Sequence, residues 1–414
     1  MGEILFLAHR IPFPPDRGDK IRSHHLLKAL ADIAPVHVGC FADTDSDLAH
    51  EPLLAEISAS HCLIRRRKSM ARAGFEALAF HKPVSLTAFD HPDMRAWVRY
   101  ALAANPIDTI FVFSGQMGQY VPADFAGRVV VDLCDVDSAK FEAYAASGRL
   151  PRRWIDAREG VLLATEEARL AQRADRTLLV STAEAALFRS RIPAGSADKV
   201  IALGNGIDAG FFDPQSARPH PDLENTPGPH FVFTGQMDYA PNVAAAQRMI
   251  SRLLPPIRKI HPGAQFHVVG RAPGPRLMAQ DGQGGVRVWG EVPDVRPFLS
   301  AADIVIAPLE IARGVQNKVL EAMAMARPVL LTSEAAVGID AEDGHHFAIA
   351  DTDDALVARA LALLDDAAET AKMAAAARRY VTEHQSWAAT LAHLGPIIGK
   401  PGPRPDAAQY RDVA

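Results

Sequence analysis

Lys318 and Glu321 stand one helical turn apart in the stretch Gly314-Val315-Gln316-Asn317-Lys318-Val319-Leu320-Glu321-Ala322-Met323-Ala324-Met325-Ala326, a spacing that puts both on one helix face. Across residues 319–326 every side chain except Glu321 is apolar. The helix therefore reads as buried on nearly all sides, and a lone ionised carboxylate in it would cost several kcal/mol unless something binds it. Gly314, Val315, Gln316 and Asn317 suit the start of such a helix, whose free backbone N–H groups and positive dipole end favour phosphate. A cation beside a phosphate, with a carboxylate one turn deeper accepting from sugar hydroxyls, would together hold a nucleotide diphosphate. The plainer reading is a Glu321 paired with Lys318 or Arg313 for packing alone, because perturbed ionisable groups are not confined to active sites.

Two further segments carry charge at the ends of expected strands. Asp16-Arg17-Gly18-Asp19-Lys20-Ile21-Arg22 gathers charged side chains around a glycine just before a helix. Gly18 would let the backbone approach a ligand closely, and Lys20 and Arg22, with Arg17 and Asp19 beside them, could hold a phosphate or an acidic acceptor. Otherwise this is a solvated helix start capped by Asp19. Asp132-Leu133-Cys134-Asp135-Val136-Asp137-Ser138-Ala139-Lys140 alternates carboxylates. Asp135 and Asp137 have the spacing of an Asp-x-Asp metal motif, of acceptor-binding or base-like groups, or of a plain helix cap. A third segment, Ile64-Arg65-Arg66-Arg67-Lys68-Ser69-Met70-Ala71-Arg72-Ala73-Gly74-Phe75, could rest on anionic lipid through Arg65, Arg66, Arg67, Lys68 and Arg72, or be an ordinary solvated charge run.

Short apolar runs alternate with helical patterns along the chain, which is the pattern of parallel strands joined by crossover helices. Strands are expected at 4–8, 36–41, 109–113, 129–133 and 177–181, and a second set at 231–234, 265–269, 286–288, 304–307 and 329–332. Leu203-Gly204-Asn205-Gly206-Ile207-Asp208 and a Pro-rich loop separate the sets. At 414 residues two domains are the default. Each set opens with a strand, an irregular loop and a helix, so the two opening loops should face one cleft at the carboxyl ends of the strands.

Composition narrows the function classes. With 44 Lys plus Arg against 49 Asp plus Glu, a net charge of −5 gives no bulk reason to bind nucleic acid. Three cysteines without a CxxC pair argue against a disulfide framework and a zinc ribbon. His9, His24, His25, His81, His345 and His346 show no metal-ligand spacing, although His9 at the first strand's end could reach the cleft. There is no G-x-S-x-G elbow and no P-loop. No apolar run is long enough to cross a bilayer, and a soluble, cytoplasmic protein is expected, with peripheral contact at the inner membrane face if the basic run binds lipid.

The segment around Lys318 and Glu321 resembles the nucleotide-sugar-binding segment of GT-B glycosyltransferases, specifically glycosyltransferase family 4. In that family a pair of glutamates brackets the helix start, followed by Ala, a small residue and Pro-Val. Glu321 and Pro328-Val329 match the later part, and Arg313 occupies the position of the first glutamate. The form Ala312-Arg313-Gly314-Val315-Gln316-Asn317-Lys318, with the phrase across residues 10–22, is similar to the branch associated with exosortase and PEP-CTERM systems. The resemblance covers most of the chain. It implies an α/β fold of GT-B architecture: two doubly wound Rossmann-like domains facing across a cleft. Residues 1–204 would form the acceptor-side domain and 205–384 the nucleotide-sugar domain, with 385–399 a helix returning to the first and 400–414 a disordered tail.

The implied activity is transfer of a sugar, with retention, from a nucleotide-sugar to a growing exopolysaccharide or lipid-linked glycan. No metal or other cofactor is expected. In many members an Arg and a Lys near the start of the second domain grip the diphosphate, and here the loop from Gly235 to Asn242 supplies neither. Arg313 and Lys318 are expected to restore those charges, with Arg271 a third candidate. Trp289-Gly290-Glu291-Val292-Pro293-Asp294 resembles the segment whose backbone, at Val292, reads the nucleotide base; it is otherwise an ordinary turn. Two other readings share these residues: a sugar-nucleotide epimerase of the same fold, and a donor- or glycan-binding partner without turnover, which Arg313 in place of Glu invites.

Overall fold

Runs rich in Val, Ile and Phe become central parallel strands when helices cover both of their faces, and two such sheets form here. The computed structural model describes residues 2–147, 150–312 and 315–401. Its chain divides into one unit of Met1–Asn205 with the segment from Leu391 onward, and a second of Gly206–Thr390.

In the first unit β1 (Glu3–Ala8), β2 (Val36–Ala42), β3 (Ser60–Arg65), β4 (Ile107–Phe113), β5 (Arg128–Cys134), β6 (Arg176–Leu179) and β7 (Val200–Ala202) make one sheet in the order β3-β2-β1-β4-β5-β6-β7. All its pairs are parallel, with Ile4 opposite both Val36 and Thr109. The second unit holds β8 (His230–Thr234), β9 (Gln265–Val269), β10 (Val286–Gly290), β11 (Ile304–Ala307), β12 (Val329–Leu331) and β13 (Ala348–Ile349), ordered β10-β9-β8-β11-β12-β13. Each sheet thus begins in the middle, winds to one side, and crosses back to the other. The crossings, between β1 and β4 and between β8 and β11, are the topological switch points where connections diverge and leave a crevice beyond the strand ends.

Every strand expected from the sequence forms, with ends shifted by a residue or two. β3, β7 and β13 were not expected. β3 is half-buried along its whole length and lies at a sheet edge, while β7 and β13 are too short to show a period. The expected return helix over 385–399 is instead two short helices, Trp387–Leu391 and Leu394–Ile398. Pro396 accounts for the break, because a proline fits the first turn of a new helix but not the interior of a continuous one. The expected tail is also corrected at its start. Lys400 is buried, its Nζ donating to Asp108 Oδ1 at 2.6 Å and to the Gly2 carbonyl at 2.7 Å. Residues 402–414 lie outside the described residues.

Candidate functional site

At the switch point of the second unit, β8 and β9 each run into a glycine whose backbone angle other residues rarely adopt: Gly235 at φ 151° and Gly270 at φ 150°. A Cβ on Gly270 would lie 1.7 Å from the Gly235 carbonyl oxygen. One on Gly235 would lie 2.9 Å from Asn242 Nδ2 and 3.0 Å from Lys318 Nζ. The absence of side chains therefore lets the two strand ends close together and brings bare backbone against the lysine.

Lys318 comes from the other side of the crossing, on the helix Asn317–Ala324 that follows β11. Val319, Leu320, Ala322, Met323 and Ala324 bury that helix, each large apolar side chain contributing roughly 1.5–3 kcal/mol, and so fix where Lys318 points. Its Nζ donates to Asn242 Oδ1 at 2.5 Å and lies 4.6 Å from the centre of the Phe233 ring. Asn242 follows β8, so this hydrogen bond spans the switch point. Asn242 is buried and donates through Nδ2 to the Gln236 carbonyl at 2.9 Å, while Arg271 donates to Gln236 Oε1 at 2.9 Å. Gly235, Asn242, Lys318 and, through Gln236, Arg271 are therefore brought together. Val292 is placed elsewhere, half-buried beyond β10 at the sheet's edge and packed on the core. Val315 and Asn317 are exposed and Gln316 half-buried at the helix start, where the Gln316 side chain makes no capping bond. Arg313 and Gly314 lie outside the described residues.

Glu321 is half-buried, and among the described residues no hydrogen bond or ion pair holds its carboxylate. The packing pair with Lys318 is not made at ion-pair distance. Burial pushes the Glu321 carboxyl up to about 7 against the pull of the Lys318 charge. Burial likewise pushes the Lys318 ammonium down to about 8, opposed by Glu321. The site thus presents a cation poised to lose its proton just above neutrality and, one turn along, an acceptor without a partner among the described residues. An anion beside Lys318 and hydroxyl donors at Glu321 would complete both.

The switch point of the first unit is differently organised, and it corrects two expectations. Lys20 and Arg22 do not face an acceptor; both are buried. Lys20 Nζ donates to Asp47 Oδ1 at 2.7 Å and to the Phe13 carbonyl at 3.2 Å. Arg22 donates to Asp132 Oδ2 at 2.8 Å, to the Gly204 carbonyl at 3.0 Å and to Asn205 Oδ1 at 2.9 Å. They are internal braces, each paired with a carboxylate. Asp19 is not the helix cap either. The cap position of the helix Gly18–Ile33 is Arg17, without a side-chain bond, and Asp19 accepts from Arg10 Nη1 at 2.7 Å, while His9 Nε2, which meets the same Nη1 at 2.9 Å, lies 3.2 Å from the Asp19 carboxylate. Burial alone would raise the Asp19 carboxyl, but hydrogen bonds from His9 and Arg10 hold it well below the usual range. Arg17 stays half-exposed, 3.3 Å from Asp19 and 3.7 Å from Asp43. Gly18 has open space where a Cβ would stand.

His9 ends β1 beside the crossing, stacked on Phe113 and edge-on to Phe89. Burial lowers its pKa, opposed by Asp19, and its buried Nδ1 has no partner among the described residues. Asp135 and Asp137 both accept from Lys140 Nζ, at 2.8 and 3.2 Å, so neither is a free base. The basic run is mostly paired as well. Arg65 meets Asp45, Arg66 meets Asp43, and Lys68 and Arg72 share Glu76. Sequence reasoning missed Asn242 and the linking of His9 to Asp19 and Arg10. Asn242 is an uncharged residue in a loop with no periodic signal, and the His9 group joins residues through a loop whose course the sequence does not give.

Residues 228–366 match the family described as Glycosyl transferases group 1. No curated protein matches the chain. Among solved structures the chain is similar to HepE from Anabaena in complex with UDP, at 16% identity and a TM-score of 0.62 over 96% of this chain and 100% of that one. It is similar to sucrose-phosphate synthase from Thermosynechococcus elongatus, at 15% identity and a TM-score of 0.59 over 96% and 98%. It is also similar to WaaG, a glycosyltransferase involved in lipopolysaccharide biosynthesis, at 16% identity and a TM-score of 0.54 over 96% and 100%. At such identities the likeness is one of fold. The chain has the α/β GT-B fold, two parallel sheets of Rossmann-like character, and its second sheet lies within a segment that matches Glycosyl transferases group 1.

Proposed function

We propose that this protein is a glycosyltransferase of the family-4 type that moves a sugar from a nucleotide-sugar to a growing exopolysaccharide or lipid-linked glycan, with retention at the anomeric carbon. The observation that carries the reading is Lys318, bonded across the switch point to Asn242, one turn before a Glu321 carboxylate that has no hydrogen-bond or ion-pair partner among the described residues. The match of residues 228–366 to glycosyltransferases and the shared fold with HepE, solved with UDP and with UDP-glucose, support the donor class. In this reading the bond between the anomeric carbon and the diphosphate breaks as the acceptor oxygen bonds to that carbon and gives up its proton. Lys318 and the helix start stabilise the charge gathering on the departing diphosphate. Glu321 holds the donor's hydroxyls so that the anomeric carbon stays aligned. Arg313 supplies a second cation to the diphosphate in place of the usual arginine or lysine. No metal is needed for this chemistry.

The test is calorimetric titration of the protein with UDP-, GDP- and ADP-sugars. One donor is expected to bind, and Glu321→Ala to weaken it by about 10- to 100-fold, the worth of hydrogen bonds to a charged group. Arg313→Ala should weaken it too. Absence of binding by every donor to the folded protein sinks the reading. Unchanged affinity in Glu321→Ala removes Glu321 from the site, and unchanged affinity in Arg313→Ala ends the compensation idea.

A further inference from the structure

The helix Met70–Ala79 carries its side chains the wrong way round for water. Its small residues Ala73 and Ala77 are buried, while Phe75 and Leu78 on the opposite face are 74% and 58% exposed, and Phe80 just beyond is 69% exposed. Apart from the mutually paired Arg72 and Glu76 the helix has no charged side chain, and a helix apolar on both faces is normally covered on both. A second apolar set lies next to it. Leu150, Trp154 and Ile155, at and just inside the start of the helix Arg152–Arg173, are also exposed. Arg158, one turn along that helix from Trp154 and Ile155, donates to the carbonyls of Ala77 and Lys82, which bracket Leu78 and Phe80. The two sets therefore belong to one face of the first unit.

Charge decides what covers this face. Over residues 66–82 and 150–161 the carboxylates are Glu76, Asp156 and Glu159, and each is either paired with a cation or buried. Glu76 is held by Lys68 and Arg72, Asp156 is buried with Arg152 at 3.7 Å, and buried Glu159 accepts from the backbone of Val84 and Ser85. Arg67, Lys82 and Arg153 point outward, and among the described residues no carboxylate lies at ion-pair distance from them. The exposed Asp45 lies near Arg67, but the rim is otherwise positive, and large apolar and aromatic side chains rimmed mainly by positive charge match the boundary of an anionic bilayer, with rings at the headgroup level and cations at the lipid phosphates. A protein interface more often surrounds its apolar centre with a mixed polar rim.

From this we infer that the first unit docks on an anionic lipid surface through Phe75, Leu78, Phe80 and Trp154, rimmed by Arg67, Lys82 and Arg153. This moves the lipid contact away from Arg65, Arg66, Lys68 and Arg72, whose charges carboxylates already meet. It stands independently of the glycosyltransferase reading, since vesicle binding needs no donor.

The experiment is co-sedimentation of the full chain with vesicles of phosphatidylglycerol and phosphatidylethanolamine, and with vesicles of phosphatidylcholine alone. Binding to the first is expected, reduced at least about tenfold on the second and by the double substitution Phe75→Ser with Leu78→Ser. Thermal melting of the variant should be unchanged, because both side chains already face outward. Equal binding to both vesicles, or undiminished binding by the double variant, overturns the inference. So does the absence of vesicle binding, including a result in which the chain self-associates in solution and the double variant does not, which would assign the face to a second copy.

Discussion

Lys318 and Glu321 are displaced in opposite directions by the same cause, and this sets a pH signature. Burial costs the charged form of each, so the ammonium loses its proton at about 8 and the carboxyl keeps its proton to about 7. If Lys318 meets a diphosphate, whose charge does not change in this range, the binding form is the ammonium, and affinity falls as pH rises through about 8. If Glu321 accepts from sugar hydroxyls, the binding form is the carboxylate, and affinity falls as pH drops through about 7. Donor affinity is expected to peak between these values, since the free protein's pKa values govern the dependence of binding on pH. Titrations across pH 5.5 to 9.5 (an experimental range chosen to span roughly the two transitions) check the assignment through its variants. Glu321→Gln should abolish the acid limb and Lys318→Met the alkaline one. An acid limb that survives Glu321→Gln would mean another group accepts from the sugar.

At the scale of elements the site depends on strand ends that only glycine permits. Gly270→Ala would place a carbon 1.7 Å from the Gly235 oxygen at a backbone angle that by itself costs about 1–3 kcal/mol. Urea unfolding should show a loss of at least that size, with weaker donor binding because the displaced Gly235 abuts Lys318. Gly18→Ala, entering open space, should leave stability nearly unchanged, and it serves as the control. The elements themselves were legible where a strand is long and central, since unbroken runs such as Phe231-Val232-Phe233 have no other use. They were illegible at β3, whose half-buried residues carry no clear period, and at the break before Leu394. The candidate site was legible to the same extent. Glu321 stands out because its helix neighbours are all apolar, a local signal. Lys20 and Arg22 looked like ligand-binding cations because their carboxylate partners, Asp47 and Asp132, lie 27 and 110 positions away, and sequence spacing does not reveal which charges a fold turns inward.

Across the whole molecule the two units carry different chemistry on similar sheets. Both are parallel, both start at the centre and both cross back beside their first strand, yet the family match lies in the second alone. There the crossing holds a partly neutralisable lysine and a carboxylate without a partner among the described residues. In the first unit the crossing holds groups that already satisfy one another: His9 and Arg10 on Asp19, and Arg22 on Asp132. Among the described residues, the buried Nδ1 of His9 and Nη2 of Arg22 are the atoms of these groups left without a partner. This division implies that donor affinity and transfer are separable by mutation. His9→Ala removes a side chain of the first unit without touching Lys318, Asn242 or Glu321, so the donor's dissociation constant should stay within about threefold of the unmodified value, a change of under 1 kcal/mol. If the first unit is the acceptor side, transfer to a glycan acceptor should fall at least about tenfold, because His9 Nε2 meets Arg10 and so helps position the Arg10–Asp19 pair at that strand end. His9→Gln, which can still accept from Arg10, should recover part of the rate if positioning is the role. Equal losses of donor affinity and transfer in His9→Ala would mean that the first unit also binds the donor, and the division of labour between the units would have to be redrawn.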